Sequence, residues 1–140
     1  MRIVLDTGIF VSALITKNTP PDLLYSAWRE GYFDLVTSEP QLKEIERVFL
    51  YPKLQKYINR NEARFLLDTL NAFAEIVESI PYVGYSSDPD DNKIIATAIT
   101  GRATILVSGD KNDILSLKEV EGIRFLSARE TVQVLNISEQ

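Results

Sequence analysis

The sequence predicts an α/β fold, a three-layer sandwich in which helices flank both faces of a mostly parallel central sheet. Short apolar runs that suit strands alternate along the chain with segments whose apolar residues have helical spacing. The helical segments are long enough to serve as the crossovers that parallel strands require. With 140 residues and 45% hydrophobic content, the chain suits a single domain covering residues 1–140.

The first half of the chain is predicted to contain two strands and three helices. The strands are "RIVL" and "YFDLVTS", and the helices are "GIFVSALI", "DLLYSAWRE" and "QLKEIERVFL". Pro21 suits the first turn of the second helix, which stops at Gly31. Ser38, with Pro40 behind it, is placed to begin the third helix, which ends near Pro52.

The second half continues the alternation. A long amphipathic helix, "NEARFLLDTLNAFAEIV", runs into a third strand near Ile76 to Ile80, and "NKIIATAIT" is a helix closed by Gly101. "ATILVSGD" is the clearest strand, "GIRFLS" is the last strand, and Ser127 is placed to cap a last helix, "ARETVQVL". The order of the strands does not follow from these patterns. Ligands of open parallel sheets bind beyond the carboxyl ends of the strands, which directs the search for a site.

The composition narrows the possible chemistry. The chain has no histidine and no cysteine, which excludes a Ser-His-Asp triad, a zinc site of the usual nitrogen and sulfur type, and disulfides. A catalytic site must therefore use carboxylates, hydroxyls, lysines or a bound cation. The net charge of −5 argues against a surface coated with basic residues for duplex DNA. No apolar run approaches the roughly 18 residues of a membrane span and no signal-peptide pattern opens the chain, so we expect a cytoplasmic protein.

Acidic residues stand at the ends of two predicted strands and at the start of a predicted helix. Asp6 follows "RIVL", Asp110 follows "TILVSG", and the helix "NKIIATAIT" is preceded by Asp88, Asp90 and Asp91. If the sheet gathers these side chains at one edge, like charges within about 4–6 Å raise one another's pKa values unless a cation neutralises them. With oxygen donors alone, that cation should be hard, Mg²⁺ or Mn²⁺.

Simpler structural roles account for part of this pattern. Asp88 followed by Pro89 is a good helix N-cap, and Asp90 and Asp91 in the first turn are favoured by the helix dipole. An aspartate after a strand is also a common turn residue. A calcium loop of the EF-hand type is excluded, because lysine and isoleucine stand where that loop needs glycine and glutamate.

Four stretches in order resemble the motifs of the PIN domain, the nuclease fold of VapC-type toxins. They are "IVLDTGIFVSAL", "SEPQLKEIERVFLYPKL", "SDPDDNKIIATAI" and "ILVSGDKNDILSL". Each motif alone is weak, but their order and spacing fit nearly the whole chain. The resemblance implies a PIN-like sandwich and an endoribonuclease that uses Mg²⁺ or Mn²⁺ to hydrolyse single-stranded RNA, leaving 5′-phosphate and 3′-hydroxyl ends.

By position, the resemblance implies a catalytic and metal-binding set of four acids: Asp6, Glu44, Asp91 and Asp110. Helical periodicity alone places Glu44 and Glu46 at opposite edges of one apolar stripe and cannot choose between them. The resemblance favours Glu44, and a solvated glutamate that forms helical ion pairs is the alternative. Four residues are expected in supporting roles: Thr7, Ser12, Asp88 and Asp113.

Gly8 departs from the family pattern, in which an asparagine usually follows the Asp-Thr pair. The resemblance then implies that a side-chain amide that would order the site is missing. We expect lower metal affinity or lower activity as a result.

Positive charge is concentrated between Lys43 and Arg64, where six basic residues stand against three acids and Tyr51 and Tyr57 are interleaved. This pattern suits a groove for single-stranded RNA, with basic residues along the backbone and bases stacked on tyrosine. An ordinary solvated helical face is the alternative. The candidate RNA contacts are Arg47, Lys53, Lys93 and Lys111.

The partners are implied by the resemblance alone: a small antitoxin protein and a second copy of the chain in a homodimer. No membrane partner is expected. An exposed apolar strip containing Trp28, Tyr32 or Phe33 would suit an interface, although core packing is the usual role of such aromatic residues.

Single residues argue against two other functional classes and leave a third open. A phosphotransfer receiver domain wants paired acids after the first strand, where Asp6 stands alone. A haloacid-dehalogenase phosphatase needs a second aspartate at the position of Gly8. A PIN-like module that binds RNA or a protein without cleaving stays open because of Gly8.

Overall fold

The expected sandwich of helices around a mostly parallel sheet is confirmed. In the computed structural model of the chain, residues 1–109 and 113–137 are described, Asp113 by its backbone alone. The strands are β1 (Arg2–Leu5), β2 (Asp34–Ser38), β3 (Glu75–Val77), β4 (Ile105–Val107), β5 (Glu119–Val120) and β6 (Ile123–Leu126). The helices are α1 (Thr7–Ile15), α2 (Pro20–Arg29), α3 (Glu39–Phe49), α4 (Arg60–Phe73), α5 (Pro89–Thr100) and α6 (Ala128–Val134), with short 3-10 helices at Pro52–Leu54 and Asp113–Leu117.

The strands of the described ranges form one sheet in the order β3-β2-β1-β4-β6-β5. Every neighbouring pair is parallel except β5 and β6, which pair antiparallel. In the register of the central strands, Leu5 of β1 lies opposite Val107 of β4. The carboxyl ends of β1 and β4 therefore lie side by side, and the residues that follow them, Asp6 and Ser108, become neighbours.

Alternation along the strands divides the core into two apolar layers. In β1, Ile3 and Leu5 face the layer that is covered by α1, α2, α3, α4 and α6, whereas Val4 faces the opposite layer. That second layer is covered by α5 and by Ile114 of the second 3-10 helix. Burial on both faces explains why the central strands read as continuous apolar runs in the sequence.

Helix boundaries follow the local signals in the sequence. Asp88 caps α5 and Pro89 is its first residue, as expected. Ser127 caps α6 and forms a reciprocal capping box with Glu130. Because a cap depends on residues within one turn, the sequence is sufficient to predict it.

Two strands differ from the sequence expectations, and the 3-10 helices at Pro52–Leu54 and Asp113–Leu117 were not predicted. β3 ends at Val77 rather than near residue 80, and residues 78–88 connect it to α5 without a helix or strand. β5 was not predicted, because two residues are too short to show periodicity. Its turn into β6 uses Glu121 and Gly122, both at positive φ (49° and 81°), as a type I′ hairpin requires.

The aromatic residues proposed as an interface strip divide between core and surface. Trp28 and Phe33 are buried in the layer under α2, and Tyr32 is half exposed. Core packing is therefore the role of two of the three. Among the described helices, none combines the length and the apolar content needed to cross a membrane.

Gly101, which ends α5, is expected to be intolerant of alanine. A Cβ at this position would lie 2.3 Å from Cγ1 of Val36 on β2, whose side chain is fully buried and has no room to move. We expect Gly101→Ala to reduce the free energy of unfolding by about 1–3 kcal/mol, the usual range for overpacking. Urea denaturation of the variant measures this directly.

The matched tests separate steric overlap from a change of helix propensity. The double variant Gly101→Ala/Val36→Ala should lose less free energy of unfolding than the two single variants lose together. In the double variant, the Val36 methyl group that would overlap with the new Cβ is absent. Gly84→Ala is the control, since the nearest atom to its added Cβ would be the Tyr82 hydroxyl, 3.9 Å away. A stabilised Gly101→Ala variant would contradict the packing argument.

Candidate active site

A cleft of about 560 Å³ opens at the carboxyl ends of the central strands, between α1, α3 and α5. The residue that caps α1, together with α3 and α5, supplies carboxylates to this cleft. The lining residues are Asp6, Thr7, Gly8, Val11, Glu44, Arg47, Val48, Tyr51, Asp88, Asp90, Asp91, Ile94 and Gly109. The fold thus gathers three of the four acids that the sequence motifs singled out.

Asp6 is buried at the base of the cleft, at the end of β1. It caps α1 by accepting a hydrogen bond from the backbone N–H of Ile9 (3.2 Å), and Ser108 Oγ donates to its second oxygen at 2.5 Å. Only 8% of the residue is exposed. Burial raises the pKa of Asp6 and the charge of Glu44 adds to this, whereas the donors at Ser108, Ile9 and Gly8 act in the opposite direction. Burial is the largest of these effects, so the charged form of Asp6 is held at a cost to folding.

Glu44 reaches the cleft from α3, where it is half-buried. Thr7 Oγ1 donates a hydrogen bond to Glu44 Oε1, which ties the first turn of α1 to α3. Glu46 points elsewhere and lines a separate groove between α3 and α4. The tertiary structure thus separates two glutamates that periodicity could not distinguish.

Asp91 is the buried member of the acidic helix start. It is 7% exposed, and Ser86 Oγ donates to its Oδ2 at 3.2 Å. Asp88 serves as the N-cap of α5 by accepting from the N–H of Asp90 at 2.9 Å, and both residues lie on the exposed rim of the cleft. The capping role proposed for Asp88 is confirmed, and the same turn directs Asp91 inward.

A buried polar network that the sequence did not reveal supports the cleft from below. The side-chain amide of Gln41 donates to the carbonyl of Leu5 at 2.7 Å and accepts from Thr37 Oγ1 at 2.7 Å. Thr97 Oγ1 of α5 donates to Ser38 Oγ at 2.9 Å. These bonds fasten α3 and α5 to the ends of β1 and β2, directly beneath the acids.

Ser108, Ser86 and Asn92 were also missed. Ser108 is fully buried, and its only signal was its place after β4, the neighbour of β1. Asn92 holds the backbone of Ser86 through two bonds: its Oδ1 accepts from Ser86 N at 2.9 Å, and its Nδ2 donates to Ser86 O at 2.8 Å. The pairing spans six positions, which no local pattern predicts.

The other predicted residues lie in different places. Arg47 lines the cleft and donates to the hydroxyl of Tyr51 (3.3 Å). Lys93 is exposed at the start of α5 beside the cleft, whereas Ser12 and Lys53 are exposed and are not among its lining residues. Asp110 and Lys111, which were also predicted to contribute, lie outside the described residues. Asp113 begins the second 3-10 helix, and its side chain is not described.

The donors on the acidic side of the cleft are carboxylate and hydroxyl oxygens, which are the ligands of a hard divalent cation. Within residues 1–109 and 113–137, however, no group of three or more acidic side chains is close enough to hold a metal ion. The donor chemistry therefore fits Mg²⁺ or Mn²⁺. The spacing of the described acids alone does not form a finished site.

This architecture and sequence are similar to those of known proteins. A family model described as "PIN domain" matches residues 2–112. An uncharacterized protein of Methanocaldococcus jannaschii, MJ1680, is 35% identical over 120 residues, which cover 85% of this chain and 76% of the relative. A solved structure, VapBC2 from Rickettsia felis bound to a DNA fragment from their promoter, matches with a TM-score of 0.56 at 18% identity, covering 91% of this chain and 98% of the other. That structural likeness shows a shared fold and nothing beyond it.

Asp6→Asn is expected to raise the melting temperature at pH 7 in the presence of EDTA. Asparagine keeps the volume and the N-cap but removes the buried charge. Burial places the pKa of Asp6 above its ordinary value of 3.8, so the wild type loses stability as pH rises through the folded-state pKa. The advantage of the variant should therefore be full at neutral pH and disappear below about pH 4.

Thermal denaturation between acidic and neutral pH measures this difference, and each kcal/mol corresponds to about 4 °C in a domain of this size. Asp90→Asn is the control, because Asp90 is exposed and favourably placed in the first turn of α5, so its removal should bring no gain. A melting temperature that falls for Asp6→Asn at pH 7 would refute the burial argument.

Proposed function

The chain belongs to the PIN domain family, and from that premise we propose that it is a Mg²⁺- or Mn²⁺-dependent endoribonuclease that cleaves single-stranded RNA. We further propose that it is the toxin of a toxin–antitoxin pair acting in the cytoplasm. One observation carries the proposal: the buried carboxylate of Asp6 shares a single cleft with Glu44 and Asp91, in a chain without histidine or cysteine.

The proposed ligands of the cation are Asp6, Glu44, Asp91 and Asp110. The first three line the cleft, Asp6 from the N-cap of α1, Glu44 from α3 and Asp91 from α5. Asp110 follows β4 in the sequence, three positions after its last residue. When bound, a divalent cation supplies positive charge that offsets the charge on the phosphate and lowers the pKa of a water molecule.

The residues of the chain have positioning roles in this scheme. Ser108 and the N–H of Ile9 fix the two oxygens of Asp6, and Thr7 fixes one oxygen of Glu44. Ser86 holds one oxygen of Asp91. A carboxylate whose orientation is set by hydrogen bonds before the substrate arrives need not reorganise during the reaction, which is the main contribution of a protein to such catalysis.

RNA would be held by local contacts, since the protein as a whole is acidic. Arg47 and Tyr51 lie on the α3 side of the acidic cleft, where a guanidinium can contact a phosphate and a tyrosine ring can stack on a base. Lys93 lies at the α5 side. Lys111 is proposed as a phosphate contact because it directly follows Asp110 in the sequence. Lys53 is proposed as a further phosphate contact on its place in the basic stretch between Lys43 and Arg64.

The partners are proposed on the family and on the structural neighbour. The R. felis structure is a VapBC2 assembly with promoter DNA, which supports a small antitoxin as the partner of a chain with this fold. We also propose a homodimer.

A catalytically weak PIN domain that binds RNA or a protein partner is the second candidate. It is favoured by Gly8, and by the spacing of Asp6, Glu44 and Asp91, which do not form a finished cation site among the described residues. Cleavage of RNA distinguishes the two candidates, because only the first predicts it.

The wild type is expected to cleave single-stranded RNA with Mn²⁺ or Mg²⁺ and to leave 5′-phosphate and 3′-hydroxyl ends, with EDTA abolishing the reaction. Removing the charge of any proposed ligand should lower kcat/KM by at least about 100-fold, because the loss exceeds that of a residue that merely orients a ligand. Denaturing gels and end-specific enzymatic labelling measure both results. The variants are Asp6→Asn, Glu44→Gln, Asp91→Asn and Asp110→Asn.

Two neighbouring acids provide matched controls. Glu46→Gln and Asp90→Asn remove the same charges one helical position or two away, but their side chains lie outside the cleft or on its rim. Both should keep activity within about threefold of wild type. Cleavage that persists in EDTA, or that is lost in Glu46→Gln and kept in Glu44→Gln, would overturn the assignment.

Gly8→Asn is expected to increase the cleavage rate at limiting Mn²⁺. A Cβ at position 8 would lie 3.5 Å from Asp6 Oδ1, an ordinary contact distance, so the added amide can enter the cleft without strain. Gly8→Ala is the control, because it stiffens the first turn of α1 equally without adding an amide. Equal rates for the two variants over a Mn²⁺ titration would show that the amide is irrelevant.

A further inference from the structure

A second, smaller cleft of about 380 Å³ lies on the other side of the N-terminus of α5. It is formed by the connection between β3 and α5 and by the first turn of that helix. The residues lining it are Pro81, Tyr82, Val83, Gly84, Ser86, Ser87, Pro89, Asn92 and Lys93. None of them is among the proposed cation ligands.

Tyr82 is the most exposed of the large hydrophobic side chains, at 94%. Its hydroxyl lies along the chain near Gly84, where an added Cβ would come within 3.9 Å of it. Within the described part of the chain, no aromatic ring or cation packs on the ring of Tyr82. Both faces of the ring are thus open to solvent and accessible to a planar ligand.

The connection that carries Tyr82 is fastened at two places although it has no regular secondary structure. Asn92 holds Ser86 through the two backbone hydrogen bonds described above. Tyr85 donates from its hydroxyl to Glu121 Oε2 at 2.5 Å, which joins the connection to the β5–β6 turn. An exposed ring on a fastened segment loses less entropy on binding than one on a free loop.

The two clefts lie close together at the start of α5. A small space of about 10 Å³ is lined by Glu44, Asp90 and Ile94, which also line the acidic cleft. It is lined as well by Lys93, which lines the cleft under Tyr82. Lys93 therefore lies between the acids and the Tyr82 cleft.

We propose that Tyr82 and Lys93 form a nucleotide subsite, in which an unpaired base of the substrate stacks on the Tyr82 ring while Lys93 contacts a backbone phosphate. The inference rests on the proposed function, and it extends that function by naming the residues that hold the strand next to the acids. Stacking requires a free base face, which single strands offer and duplexes do not. Lys93 has no ion pair with any residue of the described ranges, so its charge is available.

Tyr82→Ala is expected to weaken the binding of single-stranded RNA by about 5- to 150-fold, the range that corresponds to one stacked base. Tyr82→Phe keeps the stacking face and should bind like the parent protein. Binding is measured by fluorescence anisotropy with a labelled RNA oligonucleotide of about 12 nucleotides in Mg²⁺, in the Asp6→Asn background so that the RNA stays intact. Tyr32→Ala is the control. Tyr32 is also exposed, but it precedes β2 and therefore lies at the amino ends of the strands, whereas the acidic cleft lies at their carboxyl ends.

Abasic substitution identifies the base that stacks. A series of oligonucleotides with one abasic site moved along the strand should show one position where affinity falls for the parent protein and does not fall further for Tyr82→Ala. In wild-type cleavage assays, Tyr82→Ala should raise KM and change kcat by less than about threefold, because the ring does not touch the reacting phosphate.

The outcomes separate this inference from the proposed function. Cleavage and RNA binding that are unchanged by Tyr82→Ala, with the same abasic profile as the parent, would refute the subsite and leave the nuclease proposal intact. A wild type that does not cleave RNA, together with an Asp6→Asn protein that does not bind it, would refute both. Equal losses for Tyr82→Ala and Tyr82→Phe would show that the hydroxyl group acts rather than the ring face, which also overturns stacking.

Discussion

The burial of the Asp6 carboxylate at the end of the central strand is the constraint on which the rest of the site depends. A charge in this position is unfavourable, so donors must be aimed at it: Ser108 from the neighbouring strand end and the N–H of Ile9 from the first turn of α1. The parallel pairing of β1 with β4 supplies the first donor, and the strand-to-helix transition supplies the second. The place of Asp6 at the end of β1 thus buries its charge and also brings the hydrogen-bond donors that partly stabilise that charge.

The same constraint explains why the supporting polar residues are buried and satisfied. Gln41 joins the start of α3 to the carbonyl of Leu5, and Thr97 joins α5 to Ser38 at the end of β2. If either helix shifted, Glu44 or Asp91 would move relative to Asp6. Fully hydrogen-bonded buried groups favour one arrangement of the helices over others, because any displacement leaves a buried polar atom without a partner. The network therefore maintains the relative positions of the acids.

Much of the fold was predictable because it follows from short-range signals. The capping residues Asp88 and Ser127 and the alternation of strands with helices are local, and the strand ends identified Asp6 as a site candidate. Three features were not accessible in this way. The choice between Glu44 and Glu46 depends on how α3 packs against α1. The contact of Ser108 with Asp6 spans 102 positions of the sequence. The hydrogen bonds between Asn92 and Ser86 depend on the path of an irregular connection. Each requires the tertiary structure, since no periodicity encodes it.

The acidic character of the chain sets a limit on how a polyanion can be held. With a net charge of −5, long-range attraction is absent, so under the proposed function the affinity for RNA would have to arise from local contacts around the acidic cleft. Open aromatic rings suit this situation because stacking gains free energy without requiring positive charge. In the proposed arrangement, Tyr51 and Tyr82 lie on either side of the acids, so different parts of a strand would meet different surroundings. Bases would be favoured at the tyrosines, and a phosphate would be accepted at the acids only together with a cation, which would couple the position of the strand to its cleavage.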